Sequence, residues 1–510
     1  MKHRSAACPS CGGPVEFKTG SSLVTICDFC QTAVARGDKD VADFGKVADV
    51  GETNSGLRLG LSGTFNKRGF YISGRVRYSH PAGGIWDEWY LVFPGEKWGW
   101  LTEAQGKFYL MFERELTSKI KLPEYDSLTL DSQVELGRSQ FSVREKGVAT
   151  VAAAEGEIPW AVHPGAEHKF VDLQGVEGTF ATLEYGEQAS VFIGKEILLA
   201  DLGVDTRTAD PESEKLPVAA LQLNCPHCGG TLLLRTPDET ERVTCPNCHS
   251  LLDANHGKLA YLQTLKAKEI YPVVPIGSEG VFFHNKYTVI GIMERFALYE
   301  GKTYPWMEYL LHNHELGFRW LVENQNHWSF VEPVSFMGST FGSQVTYNGD
   351  SFRIYDRGVA YVRYVVGEFY WRVTVGDSVQ TADYIAPPKM LSIEESKTKS
   401  SEERNVSQGT YLYPEQIEAA FGIRGVRRAW GVGPMQPGPK LGKEFYLSWG
   451  GFLGLILLVQ LAFFMRADGW MTFYAMLFVS LPIIAFHFYA HNFERQRWSE
   501  SDYNPYASSD

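Results

Sequence analysis

The chain has 510 residues, of which 44% are hydrophobic and 21% charged, so its length allows three or four domains that each bury a core. Its formal net charge of −12 opposes the broad basic surface of most nucleic-acid-binding proteins, which leaves nucleic-acid binding through small patches on two four-cysteine segments as a secondary hypothesis. Eight cysteines in so long a chain exclude a disulfide-dense small scaffold, and the aromatic content of 14% with 50 glycines indicates β-sheets with many turns.

The chain begins with a four-cysteine pattern, and no apolar segment typical of a cleavable signal peptide precedes it. Cys8 and Cys11 form one Cys-x-x-Cys pair, Cys27 and Cys30 form a second, and 15 residues separate the two pairs. This spacing is typical of a zinc ribbon, in which four thiolates surround one zinc ion at about 2.3 Å. Because protein ligands fill every position, the predicted site is structural, and its thiolates favour a reducing, cytosolic compartment.

An aromatic segment of β type follows the first ribbon and extends to about residue 200. Phe70, Ile72, Val76 and Tyr78 lie at even spacing, and this alternation predicts half-buried strands. Further predicted strands are separated by turn signals of the Pro-Gly kind. Residues 201–217 are rich in acidic side chains and are interpreted as a linker.

A second four-cysteine pattern opens the next part of the chain. Its two pairs are separated by 16 residues and consist of Cys225, Cys228, Cys245 and Cys248. The sequence therefore predicts two structural zinc ions, one in each ribbon, with His227 and His249 as bystanders beside the ligands. A disulfide framework and a redox dithiol are the alternatives, but a redox dithiol is expected beside a βαβ pattern and without a matching second cysteine pair.

The aromatic segment is repeated after the second ribbon. Trp98–Gln105 matches Phe318–Gln325 without a gap at an offset of 220 residues, and Phe141–Val162 matches Phe352–Val373 at an offset of 211. Two copies at constant offsets indicate a duplicated domain rather than a solenoid. The predicted fold class is mainly β, with two zinc ribbons, two aromatic-rich domains that are barrel- or sandwich-like, and a C-terminal helical hairpin.

Candidate catalytic groups recur in the two copies, although no catalytic motif accompanies them. Three glutamates lie beside aromatic residues in each copy: Glu88/Glu308, Glu103/Glu323 and Glu157/Glu368. Paired carboxylates can perform acid–base chemistry, so an enzyme that uses them is an alternative hypothesis. The simpler interpretation is that each glutamate faces solvent or caps a turn while its tryptophan packs. His312 and His314 could form half of a metal site, but a solvated pair is the simpler interpretation, so no catalytic or cofactor-binding residue is predicted.

The C-terminal part carries two long apolar segments. Residues 396–408 before them are charged and predicted to be mobile, and the Pro/Gly linker after residue 425 is expected to carry few contacts. Leu447–Met465 and Trp470–Tyr489 contain no formal charge with His487 neutral, and each spans roughly 30 Å as a helix, which predicts a transmembrane hairpin. A buried core hairpin is the alternative.

Flanking charges predict the orientation of this hairpin. The loop between the two spans contains a single basic residue, Arg466. The flanks contain six: Arg427, Arg428, Lys440, Lys443, Arg495 and Arg497. Both termini and the soluble domains are therefore predicted to be cytoplasmic, at the inner face of the cell membrane.

The repeated block resembles a bacterial family, the domain of unknown function 4178. The resemblance is carried by a Trp-x-Glu-[Trp/Tyr] strand, a Trp-Leu-x-Glu-x-Gln segment and a Gly-Glu…Trp segment, and it extends over most of residues 58–200 and 270–425. Similar members carry the domain beside zinc ribbons, sometimes twice, and some end in membrane helices. The resemblance implies a bacterial protein without an established activity, linked to envelope or membrane stress, and it adds no catalytic residues.

These features favour a membrane-anchored cytoplasmic scaffold that recruits protein partners to the inner membrane face, and they leave a small-molecule ligand open. The predicted domains follow in chain order: zinc ribbon 1 (1–36), β domain copy 1 (50–200), acidic linker (201–217), zinc ribbon 2 (218–256), β domain copy 2 (270–425), Pro/Gly linker (426–444), two transmembrane helices (445–491) and cytoplasmic tail (492–510).

Overall fold

The structure is a computed structural model that describes most of the chain between residues 4 and 506, and it is mainly β. The gaps in that range are 9–10, 18–23, 27–28, 30–31, 37–40, 47–52, 54, 96, 105, 116–121, 131, 161, 187–188, 205–222, 233–234, 236–239, 256–257, 266–271, 314–315, 337–341, 399–400 and 464–468. Cys27, Cys30, His314, Arg466 and most of the acidic linker therefore lie outside the described residues.

The N-terminal segment contains five short strands. They are β1 (Arg4–Ala7), β2 (Pro14–Phe17), β3 (Val24–Ile26), β4 (Thr32–Arg36) and β5 (Val41–Lys46). β1 and β2 form a hairpin around the first cysteine pair, and β3, β4 and β5 form an antiparallel meander.

Residues 62–197 form the first of two closed antiparallel barrels. Its strands are β6 (Ser62–Phe65), β7 (Arg68–Ser79), β8 (Ile85–Phe93), β9 (Lys97–Ala104), β10 (Lys107–Glu113), β11 (Gln133–Leu136), β12 (Ser139–Ile158), β13 (Glu167–Gln174), β14 (Thr179–Tyr185) and β15 (Ala189–Ile197). Eight strands close the ring in the order β7-β8-β9-β10-β15-β14-β13-β12, and β12 pairs back with β7. Short 3₁₀ turns at Tyr125–Ser127, Val176–Gly178 and Leu199–Leu202 accompany the strands.

The second ribbon again contains five short strands. They are β16 (Leu223–Asn224), β17 (Thr231–Leu232), β18 (Arg242–Thr244), β19 (Ser250–Asn255) and β20 (Lys258–Thr264). β16 and β17 form a hairpin around the third cysteine pair, and β18, β19 and β20 form a meander, as in the first ribbon.

Residues 279–412 form the second barrel. Its strands are β21 (Glu279–Phe282), β22 (Asn285–Tyr299), β23 (Lys302–Asn313), β24 (Gly317–Asn324), β25 (His327–Pro333), β26 (Gln344–Tyr347), β27 (Asp350–Phe369), β28 (Ser378–Ala386), β29 (Lys389–Lys397) and β30 (Ser401–Leu412). The ring β22-β23-β24-β25-β30-β29-β28-β27 closes through the β27–β22 pair, so the pairing scheme of the first barrel is repeated.

The predicted mobility of residues 396–408 is wrong, because this charged stretch contributes to β29 and β30. Arg404 is buried and its guanidinium lies 2.6 Å from the Glu395 carboxylate across the hairpin. Val406 of the same strand is buried in the core around Phe352. Charge density alone therefore misidentified a barrel strand whose charged side chains are neutralised by their cross-strand neighbours.

Each barrel closes at a pair of facing glycines. Gly74 pairs with Gly156, and a Cβ atom on Gly74 would lie 2.1 Å from the Glu157 carbonyl oxygen. Gly291 pairs with Gly367, and a Cβ atom on Gly291 would lie 2.5 Å from the carbonyl oxygen of Glu368. Larger side chains would therefore separate the strands that complete each ring.

Strand pairs connect the four β units to one another. Each ribbon pairs with the end of the long strand of its own barrel, β3 with β12 at Glu157 and β18 with β27 at Glu368. The two barrels are joined by the antiparallel pair of β12 and β30, in which Glu145 lies opposite Glu403. The main-chain hydrogen bonds of these pairs hold the ribbons and barrels in a defined arrangement.

Among the described residues after the second barrel, three helices follow, namely α1 (Pro414–Phe421), α2 (Lys443–Phe463) and α3 (Gly469–Trp498). Within the described part of the chain, Phe473–Trp498 is the stretch long and apolar enough to cross a membrane by length and composition. α2 packs against α3, and the Tyr446 hydroxyl lies 3.3 Å from His487 Nε2. α3 continues past the predicted end of the second span at Tyr489.

The end of α3 packs against the second barrel. Arg497 is 1% exposed, and its guanidinium donates a hydrogen bond to the carbonyl oxygen of Pro434 at 2.6 Å. The Tyr355 hydroxyl of β27 donates to the Arg497 carbonyl oxygen at 3.1 Å, and the Tyr355 and Trp498 rings lie 5.6 Å apart. The expectation of few contacts at the Pro/Gly linker is therefore wrong, because its backbone carbonyls bind the end of this helix.

Candidate functional site

The third cysteine pair lies on a tight turn between β16 and β17. The Cys225 N–H donates to the carbonyl oxygen of Gly230 at 2.8 Å, and the Gly229 N–H donates to the carbonyl oxygen of Cys225 at 2.8 Å. Gly229 has a φ of 74°, a conformation that glycine adopts without strain. The Gly230 N–H points at Cys228 Sγ at 3.4 Å, an orientation that stabilises a thiolate.

The fourth cysteine pair lies on a matching turn between β18 and β19. The Cys245 N–H donates to the Ser250 carbonyl oxygen at 2.9 Å. The Ser250 hydroxyl lies 3.2 Å from Cys248 Sγ and 3.1 Å from His227 Nδ1. His249 Nδ1 lies 3.1 Å from the Tyr364 hydroxyl of β27. Both histidines thus form hydrogen bonds next to the sulfur atoms.

The two turns bring four sulfur atoms together. The Sγ atoms of Cys225, Cys228, Cys245 and Cys248 all lie within 4.8 Å of one another. Cys225 Sγ is 3.8 Å from Cys248 Sγ, and Cys228 Sγ is 3.7 Å from Cys245 Sγ. A tetrahedral zinc ion with Zn–S bonds of about 2.3 Å requires S–S separations of about 3.8 Å, whereas a disulfide requires about 2.05 Å. This cluster could therefore hold one metal ion, and its spacing fits zinc.

Protonation of the thiols differs within the cluster. Burial raises the pKa of Cys245 to about 12, whereas the hydrogen bond with Ser250 lowers the pKa of Cys248 to about 5. A divalent cation among the four sulfur atoms favours the thiolate form of every cysteine. Metal binding by these residues therefore has to release protons.

The first ribbon repeats one half of this geometry. The Cys8 N–H donates to the Gly13 carbonyl oxygen at 2.7 Å, and the Gly12 N–H donates to the Cys8 carbonyl oxygen at 2.8 Å. The Gly13 N–H points at Cys11 Sγ at 3.4 Å. Cys27 and Cys30 lie outside the described residues, so a second four-sulfur cluster stays a prediction.

The recurring glutamates are more buried than the sequence suggests. Glu157 is 4% exposed and Glu368 is 1% exposed, so the expectation that they face solvent is wrong. Glu368 accepts hydrogen bonds from the Arg235 N–H at 2.7 Å and the Thr240 hydroxyl at 3.2 Å, both in the ribbon that covers it. Glu323 accepts from the Asn326 N–H at 2.7 Å and caps a turn, as expected. Glu157 and Glu368 are covered because β3 pairs with the end of β12 and β18 pairs with the end of β27. The alternation of residues within one strand does not reveal this pairing.

Glu103 is the residue of the first copy that is equivalent to Glu323, and burial raises its pKa. Glu103 accepts a hydrogen bond from Trp89 Nε1 at 2.9 Å. Burial raises the pKa of Glu103 to about 7, and the nearby charge of Asp87 acts in the same direction. This carboxyl group therefore titrates close to neutral pH.

Several carboxyl groups cluster inside the first barrel. Residues paired directly across antiparallel strands share a face, and Glu88, Asp172 and Glu184 lie on the same face as the aromatic residues inside the ring. Burial raises the pKa of Asp172 and of Glu184 to about 7 and that of Glu88 well above its usual range, which the charge of Glu184 raises further. Asp172 accepts a hydrogen bond from the Thr182 hydroxyl at 2.7 Å.

The second barrel encloses the corresponding carboxyl groups, Glu308, Asp383 and Glu394. Asp383 accepts from the Ser392 hydroxyl at 2.6 Å, and burial raises its pKa to about 6. Sequence reasoning singled out Glu88 and Glu308 but missed the other four acids. For two of these four acids the sequence contains a signal, namely recurrence: Asp172 and Asp383 lie at the offset of 211 residues that relates the aromatic positions around them.

We expect the stability of the first barrel to fall as the pH rises from about 5 to about 8. Glu184 binds a proton more tightly in the folded chain than in the unfolded chain, so its contribution is complete below its unfolded pKa and is lost through about 7. The exchange Glu184→Gln should remove on the order of 3 kcal/mol of this loss, since the pKa rises from 4.5 to about 7 and one pKa unit corresponds to about 1.4 kcal/mol. Thermal unfolding of the full chain in detergent across this pH range measures the effect.

The exposed Glu167 on strand β13 provides the control. The exchange Glu167→Gln removes a carboxylate from the same barrel without touching its interior. Identical pH profiles for Glu184→Gln and the unmodified chain would contradict the assignment of Glu184 to the lumen.

Comparison with known families identifies the two barrels as copies of one domain. A family model described as a domain of unknown function (DUF4178) matches residues 58–198 and 275–414. These ranges contain β6 to β15 and β21 to β30. No curated protein and no solved structure matches the chain.

Proposed function

Because the chain belongs to the DUF4178 family of domains of unknown function, we propose a function from the way its barrels, ribbons and helices are joined. The protein is a membrane-anchored scaffold. Its two barrels recruit protein partners to the cytoplasmic face of the inner membrane, and we place this role in the response to envelope stress.

The observation that carries this proposal is the contact between α3 and the second barrel. The helix that contains the candidate span, Phe473–Trp498, ends in the buried Arg497, which binds the linker carbonyls beside the barrel. A helix that crosses a bilayer therefore holds the second barrel next to the membrane surface. The first barrel is held there as well, because its strand β12 pairs with β30 of the second barrel.

The helix α2 extends the proposal to two membrane spans. It contains 21 residues and packs against α3, and large apolar side chains such as Leu447, Phe452 and Leu458 are exposed on its surface. The hydrocarbon of a bilayer covers these apolar side chains, which would otherwise be exposed to water. The excess of basic residues at the flanks favours a cytoplasmic location for both termini and for the barrels.

Two structural zinc ions complete the proposal, one bound by Cys8, Cys11, Cys27 and Cys30 and the other by Cys225, Cys228, Cys245 and Cys248. Each ribbon adds its strand to the long strand of its own barrel. A metal ion that fixes the ribbon thereby supports the end of the barrel at which the recurring Glu157 or Glu368 is buried.

Crosslinking in intact cells tests the scaffold role. A hairpin-deleted variant replaces residues 444–490 with a short Gly-Ser linker, and the Tyr446–His487 contact shows that the two joined ends lie side by side. We expect the full chain to crosslink to a reproducible set of proteins that the hairpin-deleted variant does not reach. Absence of any reproducible partner, or the same set for both chains, would contradict recruitment to the membrane.

A further inference from the structure

The two barrel interiors differ at a charged position beside the acid clusters. β23 carries Trp306 and Glu308 where β8 carries Trp86 and Glu88, and in each pair the indole N–H donates to the carboxylate, at 2.7 Å and 3.4 Å respectively. The residue opposite the tryptophan on the neighbouring strand is Arg295 in the second barrel. In the first barrel it is Tyr78.

Arg295 provides a cation that crosses the interior of the second barrel. Its guanidinium lies 3.1 Å from Glu308 on the adjacent strand and 2.7 Å from Glu394 on the opposite wall. The Trp306 ring lies 5.8 Å from the guanidinium carbon, within cation–π distance. The acid cluster of this copy therefore binds a guanidinium group that belongs to the chain itself.

The first barrel retains the acids but has Tyr78 in place of this arginine. Two other cationic groups lie nearby and have partners of their own: His80 Nε2 is 2.9 Å from the Glu145 carboxylate, and Arg144 forms a hydrogen bond with Tyr109. Tyr78 stacks on Trp86 with ring centroids 5.3 Å apart. Among the residues that the structure describes, no cationic side chain lies within ion-pair distance of Glu88 or Glu184. The positive charge of Arg144 lowers the pKa of Asp172, but burial and Glu145 outweigh it.

Further polar atoms in the same interior lack partners. Thr102 lies directly opposite Glu88, and its buried hydroxyl has no hydrogen-bond partner within the described structure. Trp100 is 2% exposed, and its indole N–H also lacks a partner there. Buried polar groups of this kind are normally satisfied by a ligand or an ordered water molecule.

We propose that the interior of the first barrel binds an organic cation, with a guanidinium or primary ammonium head group held between Glu88, Asp172 and Glu184. The second barrel shows the geometry, because the equivalent acids hold the Arg295 guanidinium there. The stacked Tyr78 and Trp86 rings form an aromatic wall for such a head group, which favours an organic cation over a small hydrated metal ion. The site does not depend on membrane attachment.

Calorimetric titration of the full chain in detergent with methylguanidinium, with methylammonium and with Mg²⁺ tests the proposal. We expect one methylguanidinium or methylammonium ion to bind per chain. The isosteric exchange Glu184→Gln should weaken binding by about tenfold or more, since it removes a charged hydrogen-bond acceptor. The exchange Tyr78→Arg should abolish binding, because it introduces the guanidinium that the second barrel already has.

The second barrel supplies the matched control. The exchange Arg295→Tyr should create a second binding site of the same kind, and Glu167→Gln on the barrel exterior should leave binding unchanged. Binding of Mg²⁺ alone, no binding of either organic ion, or binding that persists in both Tyr78→Arg and Glu184→Gln would overturn the proposal.

Discussion

Serine in place of Cys228 is expected to lower the zinc content from two ions to one per chain. The cluster around Cys228 has four sulfur atoms within 4.8 Å of one another, two pairs of which are 3.7 and 3.8 Å apart, and a hydroxyl does not replace a thiolate in a zinc site of this kind. Structural zinc sites contribute roughly 10–16 kcal/mol of binding free energy, so loss of the ion should unfold the second ribbon. Metal analysis of the purified chain, combined with protease digestion, measures both effects.

Two further exchanges test which atoms hold the ion. Cys11→Ser should release only the other zinc ion, since the ribbons share no ligand. His227→Ala should retain both ions, because four cysteines supply all the proposed ligands. His227 contacts the site through Ser250, whose hydroxyl lies 3.1 Å from His227 Nδ1. Two ions in Cys228→Ser, or fewer than two in the unmodified protein, would contradict the two-ribbon assignment.

Deletion of the helical hairpin is expected to convert an integral membrane protein into a water-soluble one. The full chain should resist extraction by carbonate, because apolar side chains such as Phe478 and Phe488 are exposed along α3. The hairpin-deleted variant should appear in the soluble fraction and keep both zinc ions. Fractionation of cells that express each chain measures the difference, and a full chain that carbonate releases would contradict the membrane assignment.

A comparison of two soluble variants tests the contact at the end of α3. Truncation after Gly438 removes Arg497 and Trp498, whereas the hairpin-deleted variant keeps them. We expect the second barrel to unfold at a lower temperature in the truncated chain, because Tyr355 loses both its hydrogen bond and its ring contact. Equal unfolding temperatures would show that the helix end contributes nothing to the barrel.

The sequence predicts the local features of this fold better than it predicts how each sheet closes into a barrel. Even spacing of Val76 and Tyr78 indicates which residues share a face of a sheet, and the cysteine spacing indicates a ribbon. Neither pattern shows which face becomes an interior, since that depends on the pairing of β12 with β7 far away in the chain. The enclosed acids Asp172 and Glu184 were missed for this reason.

Charge patterns misled the interpretation where partners come from distant strands. The stretch that contains Arg404 has the composition of a mobile segment, but its charges pair with the neighbouring strand. Arg497 in turn reads as a flanking basic residue of a membrane span, although it is buried against the Pro434 carbonyl. The partner of Arg404, Glu395, belongs to the neighbouring strand, whereas Arg497 also pairs with Glu494 one turn earlier on α3, so the error at Arg497 concerns its burial rather than its charge.

The buried end of α3 has a mechanical consequence. The helix has 30 residues and is about 45 Å long at 1.5 Å per residue, so its apolar part, Trp470–Tyr489, matches a hydrocarbon thickness of about 30 Å and its charged end extends beyond that layer. In a thinner bilayer the apolar part is too long, and tilting relieves such a mismatch. Since Trp498 and Arg497 are fixed to the second barrel, a helix that tilts turns this barrel with it. In the proposed membrane-anchored arrangement, a change in membrane thickness would therefore rotate the second barrel at the membrane surface.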